Sequence, residues 1–333
     1  MKQYVFYIGI ALTFLLTGCD SEDKLTPSLI ETNWVEKLDM NNPFVKNFYE
    51  TYGVGFMTKY DLNKDLRYNM ASATVQENQW NNLLAPEMER VTEIDSAYDF
   101  IQTTLLQYFT NNEFIKNNFP RKIVLARELI LDYRENGICE ECMESDKLVS
   151  FLGNNSLHSI YTQSSFALSV KLATIYYNSA NLYAYKMDNL YLFLSCLFRF
   201  NDLYNELGSN FYLPGMKNYY SRQFKEVYVE EGNSEEVSDV SIDWYWEKGF
   251  VSNLYLNNPT TANKILLDNN FPDRERDVRM CINQLLFMTA KAWNQYPAII
   301  KERLTALVDK FDEWGIDIRA INPVVGEVIP HNP

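Results

Sequence analysis

The chain has 333 residues, 47% of them hydrophobic and 22% charged, which is enough apolar material to bury a core and too much for a disordered or low-complexity protein. Asp and Glu number 44 against 30 Lys and Arg, a net charge of −14 with no basic block, which removes nucleic acid from the candidate partners. Only two histidines occur, His158 and His331, the second of them third from the C-terminus, so chemistry that needs two adjacent imidazoles is almost excluded.

The chain opens with Met1-Lys2-Gln3, a short basic start, followed by an apolar run from Tyr4 to Thr17. That run is too short to cross a ~30 Å hydrocarbon core as a helix and reads as the apolar region of a signal peptide. It ends in Leu16-Thr17-Gly18-Cys19, which matches a bacterial lipobox. The expectation is cleavage before Cys19, lipid on its thiol and acylation of the new amino group. Several acyl chains, at ~0.8 kcal/mol per buried CH₂, hold a protein on a membrane without a spanning helix. The alternative is an ordinary secretory signal in which Cys19 is incidental. Asp20-Ser21-Glu22-Asp23-Lys24 follows, an acidic run similar to the surface-export signal of some Gram-negative lipoproteins, or else a solvated acidic tether. Removing Met1–Gly18 takes away one positive charge and leaves −15.

From Trp34 onward the composition is even, with no Ser/Pro-rich linker and no repeat, which favours one continuous domain. Tyr98, Ile101, Leu105, Leu106 and Phe109 sit at helical spacing within Asp95–Phe109. Phe114, Ile115 and Phe119 form a further segment closed by Pro120, and Arg121–Leu125 reads as a short strand. Phe166–Tyr177 reads as a second strand. Asp188–Leu207 is a helix apolar nearly all round, and therefore internal. Leu304, Leu307, Val308, Phe311 and Trp314 define a last helix that stops at Gly315. Long helices with a few short strands imply an α+β, helix-dominated fold.

The eye-catching small motif is Cys139-Glu140-Glu141-Cys142. A cysteine pair at this spacing serves zinc, disulfide exchange or a structural disulfide. No second pair stands nearby to complete a zinc site. The flanking acids raise thiol pKa values, which disfavours a redox role. Outside the cytoplasm a loop disulfide between Cys139 and Cys142 is preferred, redox exchange comes second and metal third. Cys196 and Cys281 read most simply as buried free thiols, a bond between them being the alternative. His158 has no patterned partner. No Gly-x-Ser-x-Gly turn, Walker loop or dinucleotide glycine fingerprint is present. Glu230, Glu231, Glu235 and Glu236 lie in a Gly/Asn/Ser-containing stretch that reads as solvated, and the 15% of aromatic residues read mainly as core filling.

Several segments, in order, carry a resemblance: Pro43-Phe44-Val45, Tyr52-Gly53-Val54, Lys59-Tyr60-Asp61, Leu84-Ala85-Pro86-Glu87, Phe114-Ile115-Lys116, Pro120 to Leu125, Leu172 to Asn178, Phe211, Tyr219-Tyr220, Gly249 to Tyr255 and Leu304 to Ile318. Together they resemble the substrate-import-associated zinc metallohydrolase lipoproteins, also described as candidate zinc-binding metallopeptidases. The resemblance implies a metallopeptidase-like domain over residues 31–325, after a signal peptide (1–18) and a lipidated acidic tether (19–30), with residues 326–333 as a C-terminal tail. It also implies an outer-membrane location, exposed at the cell surface. The implied partners are an outer-membrane transporter and a surface substrate-binding lipoprotein of an import system, with a peptide or glycan as ligand.

The family's signature is His-Glu-x-x-His on a helix: two imidazoles on one face hold zinc, and the glutamate is general base for the metal-bound water. The matching positions here read Leu197-Phe198-Arg199-Phe200-Asn201, so Leu197 and Asn201 replace the histidines and Phe198 the glutamate. Downstream, where an acid should supply the third ligand, the chain reads Pro259-Thr260-Thr261-Ala262-Asn263-Lys264. With one other histidine besides the C-terminal one, no shift of register restores the motif. The resemblance therefore implies zinc for the family but no zinc ligands, no catalytic residues and no cofactor in this chain. The expectation is a catalytically inactive substrate-binding or accessory lipoprotein. The alternatives are a hydrolase, acting on peptide or glycan, with an unrecognised site, and a purely structural subunit docked on a transporter.

Overall fold

The computed structural model describes residues 34–66, 83–131, 151–152, 156–157, 159–161, 165–170, 179–251 and 264–331. Cys19 and the acidic run, Cys139, Cys142, His158, residues 171–178 and the Pro259–Asn263 segment all lie outside these residues. Met1–Lys37 and Leu38–Pro333 are separate units; in the first, the described part is a single 3₁₀ turn, Val35–Lys37. No described helix is long and apolar enough to cross a membrane.

The second unit begins with α1 (Pro43–Tyr52). The Asn42 side chain accepts from the amides of Phe44 and Val45, Pro43 occupies the first turn, and Gly53 at φ 70° closes the helix. Phe44 and Phe48 on this helix pack on Phe56 at centroid distances of 4.8 and 5.0 Å, which fixes the strand that follows. That strand, β1 (Gly55–Met57), forms a four-stranded sheet with β3 (Lys122–Ala126), β8 (Ser165–Ser169) and β7 (Ser159–Tyr161), in the order β1-β3-β8-β7. β1, β3 and β8 run parallel, with Phe56 beside Ile123 and Ile123 beside Phe166, and β7 is antiparallel to β8. Ile123 to Ala126 and all of β8 are buried, as expected of parallel strands covered on both faces.

Parallel neighbours need crossover connections. Between β1 and β3 the chain forms β2 (Leu83–Leu84), α2 (Val91–Thr104), a 3₁₀ turn (Leu106–Tyr108) and α3 (Asn112–Asn118). The helical spacing over Asp95–Phe109 is thus realised as an α-helix that starts earlier and tightens to 3₁₀ at its end. A second, antiparallel sheet joins β2, β4 (Leu129–Leu131), β6 (Ser156–Leu157) and β5 (Phe151–Leu152). The described part of the expected Phe166–Tyr177 strand is β8.

α4 (Ser179–Phe200) packs against β7 and β8 on one side and against α7 (Arg274–Phe287) on another. Leu190, Leu192 to Leu194 and Cys196 to Phe198 are all buried, so the apolar perimeter read from sequence is internal. The expected boundaries, Asp188–Leu207, shift towards the N-terminus. The helix stops at Phe200, where Asp202 turns left-handed at φ 52° and the Asn201 side-chain amide donates to the Leu197 carbonyl of the last turn (3.0 Å) and to the Asn118 carbonyl at the end of α3 (2.7 Å). A 3₁₀ turn (Leu203–Asn205) takes over.

The C-terminal half adds α5 (Phe224–Glu230), a two-stranded sheet of β9 (Asp239–Ser241) and β10 (Lys264–Leu266), α6 (Ile242–Glu247), α7, α8 (Ala290–Gln295), α9 (Ala298–Trp314), α10 (Ile318–Ile321) and α11 (Pro323–Val328). Packed structure continues past residue 325, since α11 runs to Val328 and Ile329 is buried. α9 ends where the sequence placed it, at Gly315 (φ 71°). A Cβ there would lie 2.5 Å from the Asn111 Cβ and 2.7 Å from its amide nitrogen, so the position needs glycine for both conformation and space. The fold is α+β and helix-dominated, with α4 and α9 as its central helices.

Candidate functional site

The positions expected to stand against a His-Glu-x-x-His motif, Leu197 to Asn201, lie on the last turn of α4 and just beyond it. Leu197 and Phe198 are each 1% exposed. The Phe198 ring meets Trp314 edge-on at 5.5 Å and Phe311 at 6.1 Å, both on α9. One turn after Leu197, the Asn201 side-chain amide donates to the Leu197 carbonyl and to the Asn118 carbonyl at the end of α3. Zinc requires imidazole, thiolate or carboxylate donors at about 2.0–2.3 Å. Two hydrocarbon side chains and an amide tied to the backbone do not fit it. Among the described residues, no three His, Cys, Asp or Glu side chains are grouped so as to hold a metal ion.

The flanks of the motif are polar. Arg199 points outward and its Nε lies 3.9 Å from Glu275 on α7; the Arg279 Nε, one turn along α7, lies 3.9 Å from the same carboxylate oxygen. Tyr161, at the end of the edge strand β7, packs edge-on against Phe200 at 5.7 Å. Its hydroxyl is buried, and burial raises its pKa well above the ordinary phenol value, against the opposing pull of Arg279 and Arg199.

Cys196, inside α4, and Cys281, inside α7, are buried free thiols, as their apolar surroundings implied. Burial pushes the Cys196 thiol well up and the Cys281 thiol up to about 12, so neither is a nucleophile near neutral pH. Glu230, Glu231, Glu235 and Glu236 are exposed, in keeping with the solvated reading, though the first two have partners. Arg222 donates to Glu230 at 2.5 Å and holds its carboxyl below the usual range; Lys248 and the Trp244 indole N–H both engage Glu231.

The most completely buried polar cluster was not anticipated. Arg303 on α9 and Asp277 on α7 form an ion pair, both side chains 0% exposed, with the terminal nitrogens 2.7 and 3.2 Å from the carboxylate oxygens. Arg303 also donates from Nε to the Phe211 carbonyl at 2.8 Å and to the Gly249 carbonyl, and the Tyr220 hydroxyl donates to Asp277 at 2.9 Å. Burial works against the Arg303 charge, but Asp277 outweighs it and the guanidinium is held above its ordinary value. With the donors so satisfied, this cluster ties Phe211, Gly249, α7 and α9 together and leaves no reactive group facing solvent. A signal existed in the sequence: Arg303 lies four residues before Leu307 on the apolar stripe of α9, where a charge demands a buried partner.

In comparison with known proteins, the chain is similar to a candidate zinc-binding metallo-peptidase from Bacteroides caccae ATCC 43185, with 13% identity over 93% of this chain and 94% of that one and a TM-score of 0.37. No protein-family model and no curated protein matches the chain.

Proposed function

We propose that the chain is a lipid-anchored cell-envelope protein on a metallopeptidase-like scaffold that lacks hydrolytic activity and binds or presents a substrate as an accessory component of an outer-membrane nutrient import system. The observation that carries the reading is the packing of Leu197 and Phe198. The two residues that would have to be a zinc ligand and a general base are buried hydrocarbon, and the Phe198 ring packs against α9. The adjacent Asn201 caps a helix instead of facing a metal. The lipobox supports the anchor, and the acidic run after Cys19 supports exposure at the surface.

Elemental analysis of the purified protein after dialysis tests the loss of zinc. The reading expects less than about a tenth of an equivalent, since metal affinity rests on deprotonated ligands that are missing here. About one equivalent of zinc, retained when Cys139 and Cys142 are both serine, together with peptide hydrolysis, would overturn it. Labelled palmitate incorporated into the wild type but not into Cys19→Ala is the expected outcome for the anchor.

A further inference from the structure

We draw no further inference here: the strongest candidate, the pair of buried Ser159 and Ser169 hydroxyls left without a hydrogen-bond partner at the carboxyl end of β8, carries nothing, because strand alternation sets them on opposite faces of the sheet and nothing in the structure shows what fills the space beside either.

Discussion

Replacing Phe198 with alanine asks whether the motif position is core or site. The side chain is 1% exposed and its ring contacts Trp314 and Phe311. Truncating a buried phenylalanine removes its transfer free energy and leaves a cavity, at a cost of about 3–5 kcal/mol. The edge-on ring pairs lost with it are worth about 0.5–1.5 kcal/mol within that total. For a chain this long, a urea slope of about 3 kcal/mol/M or more places the loss at roughly a 1 M fall in midpoint. The assay is equilibrium urea unfolding followed by tryptophan fluorescence, with Trp314 beside the mutated ring. Phe198→Leu, which keeps most of the volume, should cost less than about 1.5 kcal/mol. Phe198→Glu buries a carboxylate against two aromatic rings, and should destabilise more than alanine does. A midpoint lowered by less than about 0.3 M in Phe198→Ala, with an unchanged slope, would refute the reasoning. The position would then face an open cleft and not packed core.

Other outcomes follow from the same packing. Asp277→Ala leaves Arg303 charged and buried, and should cost about 3–5 kcal/mol in urea unfolding, whereas the double variant Asp277→Leu, Arg303→Met should recover most of the loss. Cys196 and Cys281 should resist iodoacetamide at pH 8 in the folded protein and react in urea, as mapped by mass spectrometry; a thiol at about 12 is ionised to only about one part in ten thousand at that pH. The folded-state Cys281 pKa lies above its ordinary value of 9.0, so its contribution is present below about pH 9 and is lost as pH rises towards 12; the urea midpoint should fall over that window. Gly315→Ala forces a left-handed residue and a 2.5 Å clash with Asn111, and should lower the urea midpoint by an amount equivalent to about 1–3 kcal/mol.

The α+β class, the strand before Ala126, the buried α4 and the end of α9 were all legible because each rests on a local rule. Apolar spacing marks a helix face, a short β-branched run marks a covered strand, and a glycine marks a left-handed stop. The misplaced ends of α4 show where such rules fail. The left-handed turn at Asp202 ends the helix at Phe200, while the further bond from Asn201 to the Asn118 carbonyl comes from another element and is invisible to any local rule.

The candidate site divides in the same way. The sequence by itself determined that two histidines, one of them near the C-terminus, cannot form a His-Glu-x-x-His motif; residue identity is enough to remove that ligand set. Only the tertiary structure decided what took its place. Glu275 and Arg279 come to Arg199 from a helix more than seventy residues away, and Tyr161 comes from an edge strand before it. Arg303 and Asp277 likewise meet only because α7 and α9 pack together. A charge's worth depends on its distance to its neighbours and on its exclusion from water, and both are properties of the packed chain.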